Sequence, residues 1–206
     1  VAHQAPRGMG AMTVVGVVHI GEKAYYLRYR VSTDGGVTYL FDEPMVQVGK
    51  TPANPFDGVY TGRNGYYIGD GSGDRIIRTR SGRIIVPAQA SVLGSDGQLG
   101  NPGGGWTYTD AMMILGTWQA DNTIQWTSVK FIKGDPALST RGMIEPTLAQ
   151  MPDGRLLCVM RGSNERLYPR PLVFKGPCYK WFSVSSDDGD TWTTPQPWTY
   201  DNGDHF

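Results

Sequence analysis

Glu145 and Arg161 are the two residues of this chain whose types and spacing best suit ligand chemistry. Two apolar runs lie between them, separated by Asp153-Gly154, a dipeptide that favours a tight turn. In an antiparallel hairpin centred on that turn, both residues lie at the open end, so we expect their side chains to be close. A guanidinium beside a carboxylate there is either part of a binding site or a surface ion pair, which contributes about 0–1 kcal/mol.

An internal repeat supplies the elements that must position this pair. Aligning Gly82 with Gly154 superposes two strand-turn-strand segments without a gap. In the earlier segment Gln89 takes the place of Arg161, and no glutamate takes the place of Glu145. The Glu/Arg pair is therefore an addition to one unit and is not required by the repeat.

A second repeated feature is the pattern Ser-x-Asp-x-Gly-x-Thr followed by an aromatic residue, at residues 32–39 and 185–192. Ser and Asp side chains can accept hydrogen bonds from nearby backbone N–H groups, and Gly permits a positive φ. The pattern predicts a tight β-turn against which the aromatic side chain packs, and it predicts no chemistry. Each copy follows an aromatic and β-branched run, which favours a strand.

These repeats predict an all-β chain that forms one domain over residues 1–206. Gly (28 residues) and Pro (14 residues) are too frequent for a helical protein and favour short strands with tight turns. We expect about three four-stranded units, at roughly 12–49, 63–133 and 143–200, each with the order of a propeller blade. In the first unit the last strand is predicted at 45–48, and residues 163–177 are predicted to be an irregular loop.

The number of units raises the question of closure. Propellers close with about four to eight blades, whereas an open arc of three exposes strand edges and apolar side chains. We therefore expect additional C-terminal blades or self-association to complete the core.

Composition excludes several partners. Nineteen Lys and Arg balance nineteen Asp and Glu, which argues against nucleic-acid binding, and no apolar run is long enough to span a membrane. No His, Cys or carboxylate group has metal-ligand spacing, so we expect no metal and no cofactor. The start of the chain has no signal-like pattern, and the compartment stays open, with a secreted or periplasmic location compatible with a disulfide between Cys158 and Cys178.

Taken together, these motifs resemble the sialidases. The two Ser-x-Asp patterns resemble the Asp boxes of sialidases and related β-propellers, and Glu145-Pro146-Thr147-Leu148 with Arg161 resembles the sialidase hairpin that a Glu opens and an Arg closes. The resemblance implies a six-bladed propeller of which this chain holds about three blades. It also implies hydrolysis of terminal sialic acid or a related acidic sugar. Glu145 would polarise a tyrosine nucleophile and Arg161 would clamp the sugar carboxylate.

Three further residues are candidates for substrate binding. Arg141 lies near Glu145 in sequence and could bind an anionic sugar or be a solvated arginine. Trp106, on a glycine-rich loop, could stack on a sugar. Asp110 precedes a predicted strand and could face the same ligand, although capping a turn is the commoner role of such a residue.

The sequence also departs from the sialidase pattern. No arginine lies in an Arg-Ile-Pro context near the N-terminus, and residues 1–31 contain no Asp that could serve as the general acid. The alternative function is therefore a carbohydrate-binding or structural Asp-box propeller without a complete catalytic set.

Overall fold

A computed structural model describes residues 11–20, 24–62, 65, 67–68, 76–105, 107–166, 173–174 and 178–205. The fold is all-β, as predicted, and within these ranges no residue is helical. Accordingly, no helix in this part of the chain has the length and apolar character needed to cross a membrane.

Fourteen strands form the described structure. They are β1 (Ala11–Ile20), β2 (Ala24–Ser32), β3 (Asp42–Pro44), β4 (Tyr67–Ile68), β5 (Ile77–Arg78), β6 (Arg83–Ser91), β7 (Thr109–Trp118), β8 (Ile124–Ile132), β9 (Ile144–Gln150), β10 (Leu156–Arg161), β11 (Glu165–Arg166), β12 (Val173–Phe174), β13 (Lys180–Ser185) and β14 (Gln196–Pro197).

The strands pair antiparallel in three blade-like sheets and one short hairpin. The first sheet has the order β1-β2-β3, and the third sheet has the order β14-β13-β10-β9. The middle sheet has the order β4-β6-β7-β8, with β5 also paired to β6. Apart from β4 and β5, which both pair with β6, strands that follow one another within a sheet are neighbours, which is the arrangement expected of a meander.

Two local predictions are wrong. The last strand of the first sheet is β3, and residues 45–48 do not form a strand because the chain leaves the sheet there, with Gln47 bridging in parallel to Trp126 of the middle sheet. The stretch 163–177 is not wholly irregular, since β11 and β12 pair within it.

The middle sheet is packed on both faces. Successive side chains of a strand point to opposite faces, and all but the first residue of β6 are buried. Ile84, Val86 and Met112 belong to a core shared with the first sheet. Ile85 and Met113 belong to a second core, shared with the third sheet. This double burial explains why β6 and β7 are almost continuously apolar.

The two Ser-x-Asp turns have the same internal hydrogen bonds. In one, Gly36 N–H donates to Ser32 Oγ at 2.7 Å and Thr38 N–H donates to Asp34 Oδ1 at 2.9 Å. In the turn at residues 185–192 the equivalent distances are 2.9 Å and 2.8 Å. The glycines at these positions have φ values of 94° and 92°, as the sequence predicted. The pairing of Ser185 with Leu156 puts the second turn at the end of β10 remote from Arg161.

Candidate functional site

The site is built on a bulge where β9 begins. Arg161 pairs with Ile144 and Val159 pairs with Thr147, so two residues of β9 lie opposite one residue of β10. The two bulge residues are Glu145 and Pro146. A proline has no N–H to give to the ladder and is therefore tolerated at a bulge, while Glu145 adopts φ 52° in the left-handed region.

This backbone conformation brings Glu145 and Arg161 into contact. Arg161 Nη1 donates to Glu145 Oε1 at 2.8 Å. The side chains are 36% and 30% exposed, respectively, so a molecule in solution can reach the pair. The face of β10 that carries Arg161 also carries the half-buried Leu157 and Val159, while its other face packs in the core with the middle sheet.

Gln89 of the middle sheet contacts the same site and was not predicted as a site residue. The Glu145 N–H donates to Gln89 Oε1 at 2.8 Å, and Gln89 is only 6% exposed. The sequence offers one signal that could have identified Gln89 as a site residue. In the repeat, Gln89 occupies the position in the preceding unit that corresponds to Arg161. The contact between Gln89 and Glu145 depends on how the middle and third sheets pack together. The residue pattern of a single hairpin does not predict that packing.

Arg141 lies at the same end of the sheets as this pair. The segment that carries it joins β8 to β9, with Arg141 N–H donating to Ser163 O at 3.2 Å and Arg141 O accepting from Thr109 N–H at 3.2 Å. Its guanidinium donates to Thr107 Oγ1 at 3.2 Å. Arg141 is therefore held in the loops around the site, while its predicted role in binding an anion stays a prediction.

Asp110 lies elsewhere than expected for a turn cap, since it is inside strand β7, paired with Ala90 and 5% exposed. Alternation puts it on the face of Met112, toward the first sheet, whereas Gln89 and its partner Ala111 lie on the other face, toward the third sheet. The structure thus does not bring Asp110 to the side of the middle sheet on which Glu145 lies.

The environment of Asp110 changes its acidity. Burial raises its pKa to about 6, although the positive charge of Lys133 and a hydrogen bond from the Gly134 N–H oppose this effect. The Oδ1 atom is buried and accepts no hydrogen bond from the protein. Burial therefore favours the protonated, neutral form of the Asp110 carboxyl group.

The remaining predictions concern Trp106, a metal and the cysteines. Trp106 lies outside the described residues, so its stacking role stays a prediction. Within the described ranges no three His, Cys, Asp or Glu side chains are grouped as metal ligands. Cys158 is a buried free thiol and Cys178 an exposed one, so the structure has no disulfide between them.

Comparison with known proteins gives a remote likeness among solved structures. No protein-family model matches the chain, and no curated protein matches it. Among solved structures, it is similar to the intramolecular trans-sialidase from Ruminococcus gnavus, crystallised with oseltamivir carboxylate, at 19% identity and a TM-score of 0.46. The match covers 85% of this chain, which spans only 27% of the trans-sialidase chain. At this identity and score the likeness carries no activity over to the present chain.

The geometry by itself defines a small polar site at one end of the third sheet. It combines a carboxylate in a fixed backbone conformation with a guanidinium that is partly exposed, and both project from a hairpin whose far side is packed in the core. Such a pair can bind a carboxylate or hydroxyl groups through the guanidinium, and its carboxylate can accept a proton or a hydroxyl hydrogen bond.

Proposed function

We propose that Glu145 and Arg161 form part of a sialidase-type glycosidase site that acts on terminal sialic acid or a related acidic sugar. The observation that carries the proposal is the left-handed φ of 52° at Glu145, combined with its 2.8 Å ion pair to Arg161. The matching hydrogen bonds of the two Ser-x-Asp turns support their assignment as Asp boxes of a propeller.

Magnitudes distinguish this proposal from a mere surface ion pair. A residue other than glycine held in the left-handed region costs about 1–3 kcal/mol, and such residues concentrate at functional sites. A solvent-exposed ion pair contributes about 0–1 kcal/mol. The strain at Glu145 thus exceeds what the ion pair alone contributes.

The two residues have separate roles in the proposed chemistry. Arg161 offers a planar guanidinium that matches the two oxygens of a sugar carboxylate, and Glu145 holds that guanidinium in orientation. By its resemblance to the sialidase glutamate, Glu145 also withdraws the proton from a tyrosine hydroxyl as that oxygen attacks the anomeric carbon. The tyrosine and the general acid are not assigned to residues of this chain.

A fluorogenic sialoside tests the proposal. The intact gene product should be assayed beside its Glu145→Gln and Arg161→Lys variants, with Arg155→Lys as the control. Arg155 pairs with Asp153 at the turn end of the same hairpin, at 2.7 Å and with half of each side chain exposed. We expect both site variants to lose at least about tenfold in kcat/KM and the control to keep its activity. An inactive parent protein, or undiminished activity in both site variants, would contradict the proposed hydrolase activity.

A second candidate is an acidic-sugar-binding protein without turnover. The observation in its favour is that residues 1–31, which precede the first Ser-x-Asp turn, contain no Asp. Titration of the labelled chain with N-acetylneuraminic acid, followed by NMR, separates this candidate from the hydrolase. Binding without hydrolysis that Arg161→Ala abolishes supports it, whereas an absence of binding favours a structural role for the propeller.

A further inference from the structure

We propose that Gln89 is a positioning residue that holds the Glu145 backbone in its left-handed conformation and thereby directs the Glu145 carboxylate to Arg161. This inference deepens the proposed function and rests on it for the identity of the ligand. It concerns a contact between two sheets that neither the repeat nor the hairpin requires.

The first step is the state of the Glu145 N–H. The bulge between the Val159 and Arg161 pairings turns this group away from the ladder of β9 and β10. It points instead to the middle sheet, where Gln89 Oε1 accepts it at 2.8 Å. Because Pro146 has no N–H, this bond satisfies the single backbone donor of the two bulge residues.

The second step is the burial of Gln89. It is 6% exposed and lies on a face of the middle sheet whose neighbours, Ala111 and Met113, are apolar and fully buried. A buried amide oxygen without a hydrogen bond costs about 1–3 kcal/mol. The hydrogen bond from the Glu145 N–H removes this cost. It therefore accounts for the buried polar side chain of Gln89 and also stabilises the strained backbone of Glu145.

The third step links the backbone to the site. The φ angle of a residue sets the direction of its Cα–Cβ bond, so a change at Glu145 moves the carboxylate as well. Without an acceptor at position 89, the left-handed conformation loses its hydrogen bond and its strain favours a return to negative φ. The 2.8 Å contact between Glu145 Oε1 and Arg161 Nη1 would then break.

The chain contains a matched control for this bond. Gln150, at the other end of β9, accepts the Arg80 N–H at 3.0 Å, which is also a glutamine-to-backbone bond between the middle and third sheets. Gln150→Leu therefore removes the same kind of contact without touching the Glu145 bulge.

The experiment is NMR spectroscopy of the ¹⁵N-labelled arginine guanidinium groups in the ligand-free protein, with the Arg161 signals assigned by Arg161→Lys. An ion pair slows rotation and hydrogen exchange of the guanidinium protons. We expect Gln89→Leu to abolish the slow Arg161 signals. Gln89→Glu, which keeps an acceptor oxygen, and Gln150→Leu should both retain them. If Gln89→Leu does not fold, Gln89→Asn, which draws the oxygen back by one methylene, takes its place.

Sugar binding is measured separately on the same proteins. We expect Gln89→Leu to weaken the binding of N-acetylneuraminic acid at least tenfold and Gln150→Leu to leave it unchanged. The positioning role is overturned if the slow Arg161 signals are unchanged in Gln89→Leu. It is also overturned if Gln150→Leu loses them equally. Both conclusions hold regardless of the result for sugar binding. Altered Arg161 signals in a protein that binds no sugar support the positioning role and reject the proposed function.

Discussion

Arg83 Nη1 lies 2.9 Å from Asp190 Oδ2 and joins the middle sheet to the second Ser-x-Asp turn. The same guanidinium nitrogen donates to the carbonyl of Asp188 at 3.0 Å. Ser81 Oγ also donates to Asp188 Oδ2, at 2.5 Å. The turn that begins at Ser185 therefore has a function in packing, since it fastens two adjacent sheets at the end remote from Glu145 and Arg161.

The first prediction concerns this fastening. Arg83→Met should lower the free energy of unfolding by about 1–2 kcal/mol. The substitution removes the hydrogen bond from the Arg83 side chain to the Asp188 carbonyl and a partly exposed ion pair between the two sheets. Arg155→Met removes an ion pair within a single turn and should change it by less than about 0.5 kcal/mol. Urea unfolding at low and high salt measures both. Equal effects of the two variants would contradict a role between sheets.

The second prediction compares equivalent glycines of the two turns. At Gly189, φ is 92° and an added Cβ would lie 2.9 Å from Cδ1 of the fully buried Ile85. At Gly36, φ is 94° and the nearest atom to an added Cβ is Tyr39 Oη at 3.7 Å. Alanine at position 36 therefore adds backbone strain alone, whereas alanine at position 189 adds strain and overpacking.

We expect Gly36→Ala to destabilise the chain by about 1–2 kcal/mol and Gly189→Ala by about 2–4 kcal/mol. Thermal unfolding of the two variants gives the difference. A smaller loss for Gly189→Ala than for Gly36→Ala would show that the turn at residues 185–192 is not packed against the middle sheet as described.

The turns and the hairpin could be predicted from sequence because their signals are local. Asp153-Gly154 defines the turn between β9 and β10, and the open end that carries Glu145 and Arg161 follows from counting along the two strands. The repeat adds the order of the strands in each sheet. The turn, the hairpin and the strand order depend on residues that are close together in the chain. A pattern of residue types can therefore predict them.

The features that were missed depend on contacts between sheets. Gln89 reaches Glu145 only because the middle and third sheets pack face to face. Asp110 is buried because it lies within β7, which pairs with β6 on one side and β8 on the other. Residues 45–48 do not extend the first sheet because Gln47 bridges to Trp126 of the middle sheet and the Val48 N–H donates to Trp126 O.

The third prediction concerns the two thiols. Cys178 is exposed, whereas Cys158 is buried, and burial raises the pKa of the Cys158 thiol so that little thiolate forms. We expect a disulfide reagent such as Ellman's to modify Cys178 in the native chain and Cys158 only after unfolding. Cys178→Ser should then leave a native protein that does not react. Rapid reaction of that variant would show that the third-sheet core opens readily.

The fourth prediction concerns the pH dependence of stability that Asp110 confers. Burial raises the folded-state pKa of Asp110 from 3.8 to about 6. As pH rises from about 4, the unfolded state loses its proton first, so it binds fewer protons than the native state and the free energy of unfolding falls. The fall ends near pH 6, and about two pKa units correspond to about 3 kcal/mol.

Asp110→Asn removes the ionisation while keeping a side chain of the same shape. The variant should match the parent below pH 4 and exceed its free energy of unfolding by about 3 kcal/mol at pH 7, as measured by urea unfolding across this range. Asp153→Asn should change the free energy of unfolding in the opposite direction. Hydrogen bonds from Arg155 lower the Asp153 pKa, so this variant should lose stability relative to the parent above about pH 4. A difference between Asp110→Asn and the parent that does not vary with pH would mean that Asp110 is solvated in the native state.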